Sequence, residues 1–377
     1  MKIGLVCPYT INKHGGVLEV VLALQAGLVE RGHTVKIITP KPRGGEHIDD
    51  PDMIFIGSST DFRSPTQTTG QVSSTVDAEE IDEILEAEKF DVLHFHEPWV
   101  PLLSRQLLQR STSVNIATFH AKIPETMMSR SVIKVVTPYL KSVMKYLHVL
   151  TAVSDSGAEY AASLTSQSIT IIPNGINLDK YSKHRKPKTS DSDKTVLYIG
   201  RLERRKGVKY LLQAYQLFEQ DNPEARLIIA GDGPDREKLE LLAEDLHLKN
   251  VSFLGYVSEE DKLDLLAKAA IFCSPAVYGE SFGIVLLEAM ATGTVCLAGN
   301  NSGYSDLMKD LGSISIVNPH DIEEFGRRLE LLANEAKLRD LWQKWAHDYV
   351  QQFSYPNIVD QYEELYQEAV KDHVGRR

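Results

Sequence analysis

Short apolar runs alternate with longer stretches of helical apolar spacing along the whole chain. That alternation predicts parallel sheets covered by helices. The runs MKIGLVCPY, TVKIITP, DMIFIG, FDVLHFH, VNIATFH, VLTAVS and SITIIP read as strands of a first sheet. A second series, TVLYIG, ARLIIAG, VSFLG, IFCSPAV, TVCLAG and ISIV, follows the polar stretch SKHRKPKTSDSDK at 182–194. The expected fold class is therefore α/β, with two facing Rossmann-like domains and an interdomain cleft. The boundaries read as 1–182 and 183–355, the first domain being completed by a C-terminal helix at 356–371. The 182–194 stretch reads as linker and hinge, because it has no apolar periodicity. Ligands of such folds sit at the carboxyl ends of the strands, so the loops at 8–16, 94–98, 200–207 and 278–283 are expected to border the cleft.

One stretch departs from the simple pattern. GESFGIVLLEAMATGT, 279–294, reads as a helix from about Phe282 with Gly293 as its stop, yet it carries Glu280 just before its start and Glu288 inside it. An acid near a helix N-terminus is favourable. One in the middle of a buried helix needs a polar partner.

Length and composition narrow the class. A chain of 377 residues exceeds the comfortable size of one core, and 42% hydrophobic with 25% charged residues is ordinary for a soluble globular protein. The net charge of −11 argues against bulk nucleic-acid binding, so any phosphate site must be local. Cys7, Cys273 and Cys296 lie in strand-like runs without metal-binding spacing, which fits a reducing cytoplasm. The apolar start is too short for a signal peptide, and no run has the length of a membrane span. The expected location is cytoplasmic.

Three places carry candidate chemistry. Gly15 and Gly16 precede an amphipathic helix, where a close-approaching backbone and free N–H groups favour an anion. Alone, the pair also reads as a tight turn. The dinucleotide fingerprint is absent, so NAD binding has little support. Arg201 and Lys206 stand just past the strand TVLYIG, and two fixed cations there suit a diphosphate; a solvated charge run is the alternative. Glu280 and Glu288 are acceptor-only groups that suit sugar hydroxyls, and the N–H groups of Phe282, Gly283, Ile284 and Val285 between them suit phosphate oxygens. The competing interpretation is an N-terminal charge plus a buried acid paired to a lysine or arginine.

Together these residues are familiar. G-E-S-F-G-I-V-L-L-E-A-M-A, with G-R-L-x-x-x-K-G upstream, resembles the retaining nucleotide-sugar glycosyltransferases of the GT-B fold that carry a paired-glutamate motif. The likeness covers nearly the whole chain, including Gly15-Gly16, H-E-P at 96–98, T-F-H at 118–120 and P-N-G at 173–175. The resemblance implies that Arg201 and Lys206 hold the donor diphosphate, that Glu280 binds the donor sugar and Glu288 the ribose, and that Gly16 admits phosphate. It also implies that His120 faces the donor sugar, although a lone histidine at a strand end is more often structural.

No metal and no other cofactor is expected, since prearranged cations and N–H dipoles stabilise the charge growing on the leaving diphosphate. The transition state is expected to be oxocarbenium-like. The D-x-D strings at 50–52 and 191–193 lie in polar connections and read as solvated acids.

Within the family the likeness is greatest to enzymes that mannosylate phosphatidylinositol, through V-C-P-Y at 6–9, H-E-P-x-x-P at 96–101 and A-T-F-H at 117–120. That implies a mannosyl donor, GDP-mannose, and a lipid acceptor such as phosphatidylinositol near Tyr9, Asn12 and His120. Two features depart from this likeness: DAEEIDEILEAEKFD at 77–91 is acidic and would repel an anionic bilayer, and Trp99 replaces a small polar residue.

Another feature points back to membranes. SVIKVVTPYLKSVMKYLH at 131–148 is expected to start a helix at Thr137 and Pro138, with Lys141, Lys145 and His148 beside Tyr139, Leu140, Val143 and Met144. That pattern suits peripheral contact of 138–148 with the inner face of a membrane, or a core helix with a solvated cationic stripe. The other readings are the same chemistry on diacylglycerol, a soluble sugar or a glycan, a nucleotide-sugar 2-epimerase, and a non-catalytic nucleotide-binding protein.

Overall fold

The computed structural model describes residues 1–11, 15–43, 50–63, 69–100, 102–121, 127–184 and 194–375. It divides into two compact units, Met1–Gly175 with Tyr355–Arg377, and Ile176–Ser354.

The first unit holds β1 (Lys2–Val6), α1 (Gly16–Glu30), β2 (Thr34–Pro40), β3 (Met53–Ile56), β4 (Ser58–Arg63), β5 (Thr69–Thr75), α2 (Ala78–Glu88), β6 (Val92–His96), α3 (Leu103–Arg110), β7 (Val114–Phe119), α4 (Met127–Met144), β8 (Val149–Ala152), α5 (Asp155–Ala162) and β9 (Ile169–Ile171). The second holds α6 (Leu178–Ser182), β10 (Thr195–Ile199), α7 (Val208–Asp221), β11 (Arg226–Ala230), α8 (Arg236–Asp245), β12 (Val251–Gly255), α9 (Glu259–Lys268), β13 (Ile271–Ser274), α10 (Ile284–Thr292), β14 (Val295–Gly299), α11 (Ser302–Leu307), β15 (Ile316–Val317), α12 (Ile322–Asn334) and α13 (Ala336–Val350). The last helix, α14 (Tyr355–Val374), returns to the first unit.

Every apolar run that reads as a strand is one. The first sheet has the order β3-β2-β1-β6-β7-β8-β9 and the second β12-β11-β10-β13-β14-β15, with parallel pairing throughout both. In each sheet the order reverses beside a central strand, between β1 and β6 and between β10 and β13. Connections leave that point toward opposite sides, which opens a crevice at the strand ends. The antiparallel β4–β5 hairpin lies outside the thirteen runs read as strands. Its sequences SSTDFR and TGQVSST are too polar to stand out by hydrophobicity.

Apolar side chains cover both faces of the first sheet. One layer contains Leu18, Val21, Leu24 and Leu28 of α1 with Ile358, Val359, Tyr362 and Tyr366 of α14. The other contains Ile81, Leu103, Leu107, Val143, Met144 and Leu147. The C-terminal helix thus completes the first unit. Arg31, just past the end of α1, ties it down through Asp360 and through Glu363 at 3.2 Å.

Two expectations about boundaries require correction. The units meet in the chain at Gly175–Ile176, not at 182, because α6 packs on α10 and Ile176 N–H bonds the Phe353 carbonyl at 2.8 Å. Residues 185–193 of the expected linker and hinge lie outside the described residues, as do Asp191–Asp193. In addition, Pro138 lies inside α4, so Thr137 is not a cap. Burial of Leu140, Val143 and Met144 stabilises a helix that continues through the proline, and the Thr137 hydroxyl bonds Tyr160 at 2.7 Å instead.

That burial also removes the apolar half of the membrane reading. Leu140, Val143 and Met144 belong to the core, whereas Lys141, Lys145 and His148 remain exposed. No helix of the described residues is long and apolar enough to cross a membrane.

Candidate active site

In the second unit two loops meet at the sheet's reversal point. The first follows β10, whose TVLYI sequence is apolar because helices cover both faces. Its course is fixed by backbone and side-chain bonds: Leu202 N–H donates to Asp232 O at 2.9 Å, and the Tyr198 hydroxyl donates to Arg201 O at 2.9 Å. Arg204–Lys206 then form one 3₁₀ turn ending at Gly207, with φ 70°. A Cβ at Gly207 would lie 2.1 Å from the Pro275 carbonyl, so only glycine allows this close approach. The second loop follows β13 and is joined to the first by Val277 N–H donating to Arg205 O at 2.8 Å.

This junction sets a row of alternating charges. Glu280 Oε1 receives Arg205 Nη1 at 2.5 Å and Lys206 Nζ at 2.8 Å. Arg205 Nε reaches back to buried Glu203 at 2.7 Å, and Arg201 Nε lies 3.8 Å from the same carboxylate. Burial pulls the Arg205 guanidinium down, but Glu280 and Glu203 outweigh it and hold its pKa above the ordinary value. Arg201 is the most open of the three cations, with its side chain 38% exposed. Arg201, Lys206 and Glu280 are expected here from the sequence, whereas Arg205 and Glu203 are not. The signal was the charge alternation in RLERRKG, whose side-chain directions depend on the 3₁₀ turn.

The helix after Glu280 starts at Ile284, two residues later than expected, and stops at Gly293 as expected. Gly283 caps it with φ 109°, and a Cβ there would press to 2.8 Å from the Tyr304 ring. The first N–H groups of α10 have no intrahelical acceptor, so the Phe282–Val285 backbone presents donors. The Phe282 side chain is buried against Phe353, with ring centroids 5.9 Å apart.

Glu288 belongs to a second cluster on the same helix. It is buried, and its Oε1 accepts from the Tyr181 hydroxyl at 2.6 Å and from Lys262 Nζ at 2.8 Å. Lys262 also contacts Glu259 at 2.9 Å, and Glu259 contacts Lys180 at 2.6 Å. Burial lowers the Lys262 pKa, but Glu288 and Glu259 more than reverse the effect. The polar partner that Glu288 required is therefore a tyrosine and a lysine. Of these, Tyr181 arrives on α6, inside the 1–182 span expected for the first domain.

The first unit presents a separate group. Gly16 opens α1, and a Cβ on the extended residue Gly15 would meet nothing within 4 Å, so packing does not demand glycine there. Tyr9 is half-buried, bridges to Val72 and accepts the Thr39 hydroxyl on its carbonyl at 2.8 Å. Burial first, and then the neighbouring Glu97 charge, push its phenol up. Asn12 lies outside the described residues.

His120 follows β7 and is buried. Its Nε2 lies 2.9 Å from His96 Nδ1, and its backbone N–H donates to Glu97 Oε1 at 2.7 Å. His94 stands two residues before His96 on the same side of β6, with ring centroids 4.2 Å apart, and bonds Tyr366 of α14 and Thr118 at 2.6 Å each. Burial holds all three imidazoles neutral at pH 7: it lowers His94 to about 3, His120 to about 4 against an opposing hydrogen bond with Asn174, and His96 well below its usual value. Burial also raises the Glu97 carboxyl to about 8, despite N–H bonds from His120 and Ala121. Among these histidines only His120 is expected from the sequence to have a site role, although the His94–His96 spacing already puts two rings on one face of a strand.

Trp99 packs against Phe119 and Tyr160 at centroid distances of 5.4 and 6.3 Å. Asp52 is exposed in the turn before β3, where its N–H caps onto Asp50 at 2.9 Å. Among the described residues no three His, Cys, Asp or Glu side chains converge as a metal-binding group.

Two parallel sheets, each with a reversal point, and a pair of glutamates, one before α10 and one within it, define a class. The chain belongs to the GT-B glycosyltransferases: residues 179–348 match the family Glycosyl transferases group 1, and residues 14–180 match Glycosyltransferase Family 4. It is similar to phosphatidyl-myo-inositol mannosyltransferase of Mycobacterium tuberculosis, 32% identical over 86% of this chain and 84% of the relative. It is also similar to N-acetyl-alpha-D-glucosaminyl L-malate synthase of Bacillus anthracis, 26% identical over 99% of this chain and 98% of the relative. Among solved structures, sucrose-phosphate synthase from Thermosynechococcus elongatus shares the fold, with a TM-score of 0.74, 22% identity and coverage of 97% and 98% of the two chains.

Proposed function

We propose that this glycosyltransferase is a retaining, metal-independent hexosyltransferase that moves mannose from GDP-mannose to a lipid acceptor such as phosphatidylinositol. The observation that carries the donor assignment is Glu280 held by Arg205 and Lys206 at the head of α10. Both contacts fall on Oε1, and Oε2 is the acceptor assigned to a sugar hydroxyl. Arg201, Lys206 and the Phe282–Val285 amides take the diphosphate, and Glu288 takes the ribose diol, competing with Lys262 for the same carboxylate. Gly16 admits a phosphate, and His120 meets the donor sugar.

In this reading, breaking the glycosidic bond builds negative charge on the diphosphate and positive charge on the sugar ring. Cations and amide dipoles already oriented by the fold stabilise the leaving group without a divalent ion. Glu280 keeps Arg205 and Lys206 in place until phosphate oxygens compete for them.

Mannose and phosphatidylinositol are supported by the mannosyltransferase relative, with Tyr9, Asn12 and His120 as acceptor residues. A second acceptor reading, on diacylglycerol, a soluble sugar or a glycan, is favoured by α2, whose Glu79, Asp82, Glu83 and Glu86 are exposed and would repel an anionic bilayer. The test is transfer from radiolabelled GDP-mannose in excess chelator, with phosphatidylinositol vesicles or soluble acceptors. Labelled lipid with the anomeric configuration kept supports the proposal. Dependence on a divalent ion contradicts its metal-free part, and product formed only with a soluble acceptor contradicts its lipid part.

A further inference from the structure

The buried histidines fix more than the position of His120. His96 and His120 share one hydrogen bond, from Nδ1 to Nε2 at 2.9 Å, so one ring donates and the other accepts. His96 Nε2 is buried and has no hydrogen-bond partner among the described residues. A proton on that nitrogen would be an orphaned buried donor, the rarer and costlier arrangement. The His96 proton therefore belongs on Nδ1, where it donates to His120 Nε2.

We propose that His96 is a positioning residue that locks His120 in the tautomer with its proton on Nδ1, making His120 a hydrogen-bond donor through Nδ1 and barring Nε2 from acting as a base. The supporting geometry is two-sided. The β6 end holds the His120 ring through His96 and its backbone through Glu97, whose own backbone takes the left-handed conformation at φ 52°. A neutral donor suits the site: it binds a sugar hydroxyl without adding positive charge beside an oxocarbenium-like ring.

The functional half of this inference rests on the assignment of His120 to the donor sugar; the tautomer half does not. The test is a two-bond proton–nitrogen correlation spectrum of the full chain labelled with ¹⁵N-histidine, with His120 assigned from the signal lost in His120→Gln. The wild type is expected to show protonated Nδ1 and unprotonated Nε2. His96→Asn keeps an amide donor and should keep that pattern and most of kcat. His96→Leu should admit the Nε2 tautomer and lower kcat by roughly tenfold or more while leaving KM for the nucleotide sugar little changed.

A wild-type proton on Nε2, or an unchanged pattern in His96→Leu, overturns the proposal. If His96→Leu fails to fold by circular dichroism, the wild-type and His96→Asn spectra decide. Unchanged turnover in His120→Ala would remove the sugar assignment and leave the tautomer to be judged by the spectrum.

Discussion

Arg205 joins two carboxylates and so couples the stability of the second unit to its chemistry. It touches Glu203 and Glu280, both more buried than a surface acid, and Lys206 shares the second of them. Glu280→Gln retains the shape but gives up the negative charge, and the expected loss in kcat/KM is about 10²–10³-fold, the range for removing one preorganised electrostatic group. Steady-state kinetics with circular dichroism as a folding control checks it. The pH dependence of stability has two opposed parts. His94 and His120 titrate lower when folded, so their contribution is complete above about pH 6.5 and is lost as pH falls toward 4 and then 3. Glu97 titrates higher when folded, near 8, so its contribution is present at acid pH and is lost as pH rises through 8. Urea unfolding midpoints are therefore expected to decline in the wild type between pH 6.5 and 8, and Glu97→Gln should lack that decline.

The elements place these side chains through turns whose backbone leaves little choice. Gly207→Ala forces a Cβ against the Pro275 carbonyl in a left-handed turn and is expected to cost about 1–3 kcal/mol, read as a lowered urea midpoint. Gly15→Ala meets open space in an extended backbone, so stability should hold while donor affinity falls if phosphate approaches the start of α1. Calorimetric titration beside a thermal melt separates the two effects. Tyr366→Phe removes the hydroxyl at His94 Nδ1 from α14 and should cost about 1 kcal/mol of stability through a buried ring nitrogen left unpaired.

The strands were legible because burial on both faces leaves continuous apolar runs, and TVLYIG ending at Arg201 told where a cation would stand. The β4–β5 hairpin was not, because its stability comes from pairing of Ser- and Thr-rich strands. The start of α4 was misread because Thr-Pro is a good helix opening on local grounds, and core burial of the following turns overrode it. The partners of Glu203, Arg205 and Tyr181 were not assignable for a shared reason: each reaches its partner through a turn or short helix whose direction the spacing does not encode.

For the whole molecule, membership of the GT-B glycosyltransferases fixes the type of reaction, whereas donor and acceptor rest on the charged clusters and on the character of the surface. Each sheet offers a reversal point, and the candidate groups gather at those strand ends and not at the opposite edge. The exposed acids of α2 and the exposed lysines of α4 give the first unit surface charge of both signs. Binding of this chain to anionic vesicles is expected to be weak at physiological salt and to strengthen as salt falls, through Lys141 and Lys145. Co-sedimentation of wild type and Lys141→Glu/Lys145→Glu across a salt series reads this directly.

The most direct measurement is calorimetric titration of nucleotide sugars into the full chain and into Lys206→Ala, both in excess chelator. The account predicts that GDP-mannose binds the wild type and that affinity falls by roughly tenfold or more in the variant, as for loss of a charge-assisted phosphate contact. Equal affinity in the two proteins, or binding seen only after a divalent ion is added, would contradict it.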